Sequence, residues 1–122
     1  MNKWQTLDAF WNSFSIPAYD ENSVPQDATM PYITYSATVS GFEDVIPLSA
    51  SVWYRDTGWK EISLKVDQIS QRLETNKLIK MDGEQYLFVT KGSPFAQRVA
   101  DDDDDSVKRV YINVSAEYFS RN

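Results

Sequence analysis

The chain has 122 residues, of which 42% are hydrophobic and 14% aromatic, and its formal net charge is -6. It contains no cysteine and no histidine, which excludes disulfide scaffolds, thiolate-bound zinc, cysteine nucleophiles and imidazole acid–base chemistry. The acidic balance disfavours a nucleic-acid-binding protein. No apolar run is long enough to cross a bilayer or to serve as a signal peptide. We therefore expect a soluble intracellular protein with no membrane partner.

Apolar residues recur at three- and four-residue steps from Lys3 to Phe14, which predicts an amphipathic helix with an aromatic stripe. Pro17 ends this helix, because the residue before a proline is pushed out of the helical region. Two interpretations of the stripe stay open: it packs on the sheet of its own domain, or part of it docks on a neighbouring subunit. From Ile16 to Pro31 prolines alternate with polar residues, which predicts a long loop that can act as an arm.

Two segments with strand alternation follow, Ile33 to Val39 and Ile46 to Tyr54, and the turn Gly41 to Asp44 joins them into a hairpin. Pro47 lacks a backbone donor and is expected at the start or the edge of a sheet. Asp56 or Thr57, helped by Glu61, is expected to cap a second helix. That helix keeps its apolar period through Trp59, Ile62, Val66, Ile69 and Leu73.

A second hairpin is predicted from Leu78 to Met81 and Gln85 to Thr90, around the turn dipeptide Asp82-Gly83. Gly92-Ser93-Pro94 is expected to interrupt the regular secondary structure again. The last strand, Val107 to Tyr118, alternates regularly and should place on one face Val110, Ile112, Val114, Ala116 and Tyr118.

This element order predicts an α+β fold, with a mainly antiparallel β-sheet packed on one face by two α-helices and connected by long loops. The whole chain, residues 1–122, is expected to form one domain. The helix and the proline-rich arm occupy residues 1–31, and the sheet and helix core occupies residues 32–122.

Five of the 18 acidic residues form one uninterrupted run directly before the last strand. Its members are Asp101, Asp102, Asp103, Asp104 and Asp105. Five neighbouring like charges cannot be buried together, which predicts a solvated, strongly negative loop. Their spacing partly matches a calcium loop but lacks its glycine and its bidentate glutamate, so we expect no metal site there. No pair of carboxylates stands out for hydrolysis, and no enzymatic activity is expected.

Several segments together resemble the tail-terminator (tail-completion) proteins of long-tailed bacteriophages of the siphovirus type. They are residues 8–14 (DAFWNSF), 16–20 (IPAYD), 31–35 (PYITY), 51–55 (SVWYR) and 92–97 (GSPFAQ). The resemblance implies a small α+β subunit of the virion, assembled in the host cytoplasm and located at the head-proximal end of the tail. It would form a homo-oligomeric ring, a hexamer, that caps the tail tube, ends its polymerisation and connects it to the neck.

The same resemblance implies no catalytic residue, no cofactor and no metal, and contact with DNA only as it passes through the channel. A neck or head-completion (connector) protein and the tail tube protein itself remain alternatives, as does a cellular protein-binding module. An enzyme, in contrast, would need a defined pocket with perturbed carboxylates.

Two hypotheses concern specific residues. Asp101 to Asp105 either face the ring channel, where their charge keeps DNA from sticking, or form a solvated outer loop. Surplus tryptophans are the candidate anchors of a subunit or partner interface: Trp4, Trp11, Trp53 and Trp59. Edge pairing between subunits, with the last strand or the first hairpin as donor, is a further expectation.

Overall fold

The computed structural model describes residues 2–39, 41 and 44–120. These residues form a six-stranded mixed sheet and two α-helices, which confirms the predicted α+β fold. In chain order the elements are α1 (Lys3–Trp11), a 3₁₀ turn (Asn12–Phe14), β1 (Ala18–Asp20), β2 (Tyr32–Tyr35), β3 (Val45–Arg55), α2 (Lys60–Thr75), β4 (Leu78–Lys80), β5 (Gln85–Ala100) and β6 (Val107–Ser120).

The strand order across the sheet is β1-β2-β3-β6-β5-β4. Strands β1 and β2 are parallel, and every other neighbouring pair is antiparallel. The last strand therefore lies in the centre, with β3 on one side and β5 on the other along most of its length. The expectation that this strand pairs with another subunit is wrong, because its backbone groups are already used on both sides.

The first helix forms as predicted. Asn2 and Gln5 make a reciprocal capping box at its start, and the α-helix continues as a 3₁₀ turn to Phe14. Ser15 then leaves the helical region with a φ of 68°. Most of the aromatic stripe packs on the sheet of its own domain, since Leu7, Phe10, Trp11 and Phe14 are buried, whereas Trp4 is 53% exposed and stays available to a neighbouring subunit.

The two predicted hairpins are present, although β2 is shorter than its alternating pattern. β2 pairs with β3 only from Tyr32 to Tyr35, and Phe42 and Glu43 of the predicted turn lie outside the described residues. Pro47 lies near the start of β3 opposite Ser115 of β6, in a stretch of β3 that does not pair with β2, so its expected place at the start or edge of the sheet is confirmed. The proline is tolerated because β2 pairs with β3 only from Ala50 to Trp53, so no β2 residue pairs with Pro47.

The predicted break at Gly92-Ser93-Pro94 is also wrong, because β5 runs without interruption from Gln85 to Ala100. A β-bulge between Lys91 and Ala96 absorbs these residues while β5 stays paired with β6 on both sides of it. The amide of Asn113 donates to the carbonyl of Pro94 at 3.1 Å and ties the bulge to β6.

The second helix begins later than its predicted cap. Trp59 is the N-cap and makes no side-chain capping bond, whereas the Asp56 carboxylate accepts from the backbone N–H of Thr57. The buried side of this helix is apolar and packs into the same core as α1. It carries Ile62, Val66, Ile69 and Leu73.

One face of the sheet forms the core with both helices. From Val110 to Tyr118 the even-numbered residues of β6 are all buried, as the sequence predicts. The register places them beside Leu48, Ala50 and Val52 of β3. The odd-numbered residues of β6 point to the opposite side of the sheet.

Candidate functional site

The surface that most needs explanation is the side of the sheet turned away from the helices, which we call the open face. In the part of the chain that the structure describes, no helix covers it. Its side chains on β6, from Arg109 to Phe119, are only half-buried, in contrast to the buried row that alternates with them. A sheet in a two-layer domain has this form when one face is left for solvent or for another layer.

At one end of the open face, aromatic rings from four neighbouring strands contact one another. The rings of Tyr19 and Tyr32 lie 5.8 Å apart, and those of Tyr32 and Trp53 lie 6.4 Å apart. The guanidinium of Arg109 lies 4.7 Å from the Trp53 ring and 5.8 Å from the Tyr111 ring, within the range of a cation–π contact. We call these residues the aromatic cluster.

Hydrogen bonds hold the aromatic cluster in place. The indole N–H of Trp53 donates to the Thr34 hydroxyl at 2.9 Å, and Nε of Arg109 donates to the Ser51 hydroxyl at 3.0 Å. A binding surface whose side chains are already fixed loses less conformational entropy when a partner arrives. The aromatic cluster is therefore a preorganised surface.

At the opposite end of the open face, three exposed apolar side chains share one row across the sheet. Leu78 pairs with Phe88, Phe88 pairs with Glu117, and Glu117 pairs with Val45. Their exposed fractions are 43% for Leu78, 36% for Phe88 and 64% for Val45. We call these four residues the apolar strip. Leu78 and Phe88 are adjacent in this row, and Glu117 separates them from Val45. Grouped exposed apolar side chains mark interaction surfaces more reliably than scattered ones.

The aspartate run forms the connection between β5 and β6. Asp101 accepts hydrogen bonds from the backbone N–H groups of Asp103 and Asp104, and Nζ of Lys108 donates to the carbonyl of Asp105. The loop is thus ordered by hydrogen bonds between side chains and its own backbone, while every carboxylate of the run except that of Asp104 belongs to an exposed residue. No group of three or more potential ligand residues is arranged around a metal site among the described residues.

The carboxylate of Asp104 has specific partners. The hydroxyl and backbone N–H of Ser106 both donate to it, and Nη1 of Arg55 lies 3.1 Å away. The aspartate loop lies near the start of β6, whereas Glu117 of the apolar strip lies near its end. These two features are separated by roughly 30 Å, given the rise per residue of a strand.

We expect the pKa of the Asp104 carboxyl to be about 2, below its ordinary 3.8, because Ser106 donates two hydrogen bonds and Arg55 lies beside it. The carboxylate then stabilises the folded chain above pH 3.8, and this contribution is lost as the pH falls toward 2. NMR titration of the side-chain carboxyl carbon measures the midpoint. Ser106→Ala should raise it, and a wild-type midpoint near 3.8 would contradict these contacts.

The four tryptophans occupy different environments. Trp4 is 53% exposed and Trp11 is 0% exposed, so Trp11 is not available to a partner and its assignment as an interface anchor is wrong. Trp53 belongs to the aromatic cluster. Trp59 lies between two cations, with Arg98 at 4.9 Å and Lys108 at 5.6 Å from its ring.

The apolar strip was not found by sequence reasoning. Each of its apolar members lies in a strand pattern that looks ordinary by itself, and only the register brings β4, β5, β6 and β3 into one row. The available signal in the sequence was Phe88. It lies between the apolar residues Leu87 and Val89, where strand alternation calls for a polar residue. Strand order was needed to show that Leu78 and Val45 lie in the same row.

No protein-family model matches the chain, and a search of the curated proteins finds no significant match. Neither helix in residues 2–39 and 44–120 is long and apolar enough to cross a membrane.

Proposed function

We propose that the protein is a non-enzymatic structural component of a phage virion, a tail terminator. It forms a ring that caps the tail tube, ends its polymerisation and connects it to the neck. The partners are further copies of the chain, the tube protein and a neck protein, and DNA passes through without specific binding. The sequence resemblance suggests this role, and one structural observation supports it.

That observation is the open face. It carries a fixed aromatic cluster at one end and an apolar strip at the other, and large apolar side chains remain exposed there. A single copy leaves this area in water, while an assembly buries it. Tyrosine, tryptophan and arginine, the residues of the aromatic cluster, are the types enriched at the centres of protein interfaces.

The aspartate loop fits the same role as a channel element. Its exposed carboxylates lie at the end of the sheet remote from the apolar strip, so contacts made through the strip leave the loop accessible. In a ring with this loop on the inner wall, the negative charge repels DNA phosphates and lets DNA slide. A ring structure by electron microscopy tests this placement, and aspartates on the outer wall would refute it.

The assembly itself is tested with purified protein and tail tubes. We expect native mass spectrometry to show a closed oligomer of one size, and we expect added protein to stop tube elongation and to appear at one tube end in micrographs. A protein that stays monomeric at all concentrations and leaves tube ends bare contradicts the proposal. Incorporation along the whole tube would indicate a tube protein, and binding to heads alone a neck protein.

A further inference from the structure

We infer that the apolar strip of one copy binds the outer face of helix α2 of a second copy, so that subunits associate sheet to helix. This inference rests on the proposed function, since it names the contact by which copies of the chain assemble. It follows from where the exposed apolar side chains lie and from the order of charges on the two surfaces.

The large exposed apolar side chains fall on two opposite sides of the molecule. Val45, Leu78 and Phe88 belong to the apolar strip of the open face, whereas Leu64 is 55% exposed on α2 and Trp4 is 53% exposed on α1. Ile62, Ile69 and Leu73 of that helix are buried against the sheet, so helical periodicity turns Leu64 away from the core. Each copy therefore offers an apolar site on its sheet side and another on its helix side.

The charges that flank the two sites are complementary. Along the outer face of α2 the order is Lys60, Leu64, Asp67, that is positive, apolar, negative, and all three residues are exposed. Across β6, β5 and β4 on the open face the order is Glu117, Phe88, Lys80, that is negative, apolar, positive.

The spacings of the two series also agree. Lys60 and Asp67 are separated along α2 by roughly 10 Å, at the rise per residue of an α-helix. Glu117 and Lys80 lie on strands two positions apart, which separates them by roughly 10–12 Å including their offset along the strands. Leu64 then lies over Phe88, with Lys60 at Glu117 and Asp67 at Lys80.

A contact of this kind joins two different surfaces and is heterologous. When two copies bind, the first keeps its helix face free and the second keeps its strip free for further copies, so association continues head to tail until the rotation closes a ring. The contact also adds a third layer on the open face, because the helix of one copy covers the sheet of its neighbour.

Charge reversal tests the contact. Glu117→Lys places two lysines opposite each other at every interface, and Lys60→Glu places two glutamates there. We expect each single variant to associate more weakly by roughly 10- to 100-fold, since like charges in contact are strongly unfavourable. The double variant restores opposite charges and should assemble like the wild type, as measured by sedimentation velocity.

An equimolar mixture of the two single variants gives a sharper test. In an alternating ring every interface again joins a lysine to a glutamate, so the mixture should assemble although neither variant does so alone. Glu21→Lys, an equal charge change on an exposed residue outside both surfaces, serves as the matched control and should assemble normally. Thermal melting confirms that each variant is folded, and Leu64→Ser should weaken association without a change of charge.

The outcomes separate this inference from the proposed function. Single variants that assemble like the wild type place the contact elsewhere and overturn the inference, while the ring proposal stands. Single variants that dissociate but are rescued neither by the double change nor by mixing overturn the pairing of Lys60 with Glu117. A wild-type chain that never self-associates overturns both.

Discussion

Replacement of Trp11 by alanine is expected to lower the free energy of unfolding by about 3–5 kcal/mol, the cost of removing a large aromatic side chain from a packed core. The Trp11 side chain is 0% exposed, and its ring lies 4.9 Å from Phe10 and stacks on Tyr35 at 6.4 Å. Because the ring joins α1 to the sheet through these contacts, its removal leaves a cavity between the two. Urea denaturation followed by circular dichroism measures the loss.

Trp4, in the same helix, provides the matched control. It is 53% exposed, so Trp4→Ala should change the unfolding free energy by less than about 1 kcal/mol. Trp11→Phe should cost less than Trp11→Ala, because a ring remains and the indole N–H, which has no hydrogen-bond partner in the described structure, is removed. Equal losses for Trp4→Ala and Trp11→Ala would contradict the assignment of one ring to the surface and the other to the core.

Gly92→Ala is expected to destabilise the fold by about 1–3 kcal/mol, the usual cost of forcing extra volume into a packed site. A Cβ at this position would lie 2.9 Å from the backbone carbonyl carbon and oxygen of Asn113. Asn113 pairs with Ser49 of β3, and its neighbours Ile112 and Val114 pair with β5, so it cannot move aside without disturbing the ladders of the central strand β6. The glycine is what lets the bulge of β5 approach β6 closely.

Gly58→Ala is the control for that substitution. A Cβ there meets no atom within 4 Å, so the change should leave stability within about 0.5 kcal/mol of the wild type. Hydrogen exchange adds a local readout: Gly92→Ala should speed exchange in the β5–β6 ladder around the bulge, and Gly58→Ala should not. Unchanged protection in Gly92→Ala would mean that β5 and β6 do not approach each other as closely as described.

Much of the fold could be predicted because its signals are local. The apolar spacing of α1 and α2 and the alternation of β3 and β6 follow directly from which side chains must be buried together. The dipeptide Asp82-Gly83 also predicted its turn, because such turns need a positive φ, which glycine adopts easily. Gly83 has a φ of 66° in the structure.

The errors arose where a distant strand overrides a local preference. Gly92-Ser93-Pro94 has the composition of a chain break, but pairing with β6 on both sides keeps these residues within β5. Trp4 and Trp11 look equivalent in the helical pattern, and only the position of α1 on the sheet determines which ring is buried.

For the aspartate run too, local sequence and tertiary structure determine different properties. The sequence by itself determined that Asp101 to Asp105 form a solvated, strongly negative loop before a long strand, because five adjacent charges repel one another and cannot be buried. It likewise determined the helices, the hairpins and the α+β class, all of which depend on periodicity and turn chemistry within short segments. Only the tertiary structure decided that β6 is central, that one sheet face is uncovered, and that Leu78, Phe88, Glu117 and Val45 share a row. Those features depend on strand order and register, which bring together residues from separate parts of the chain.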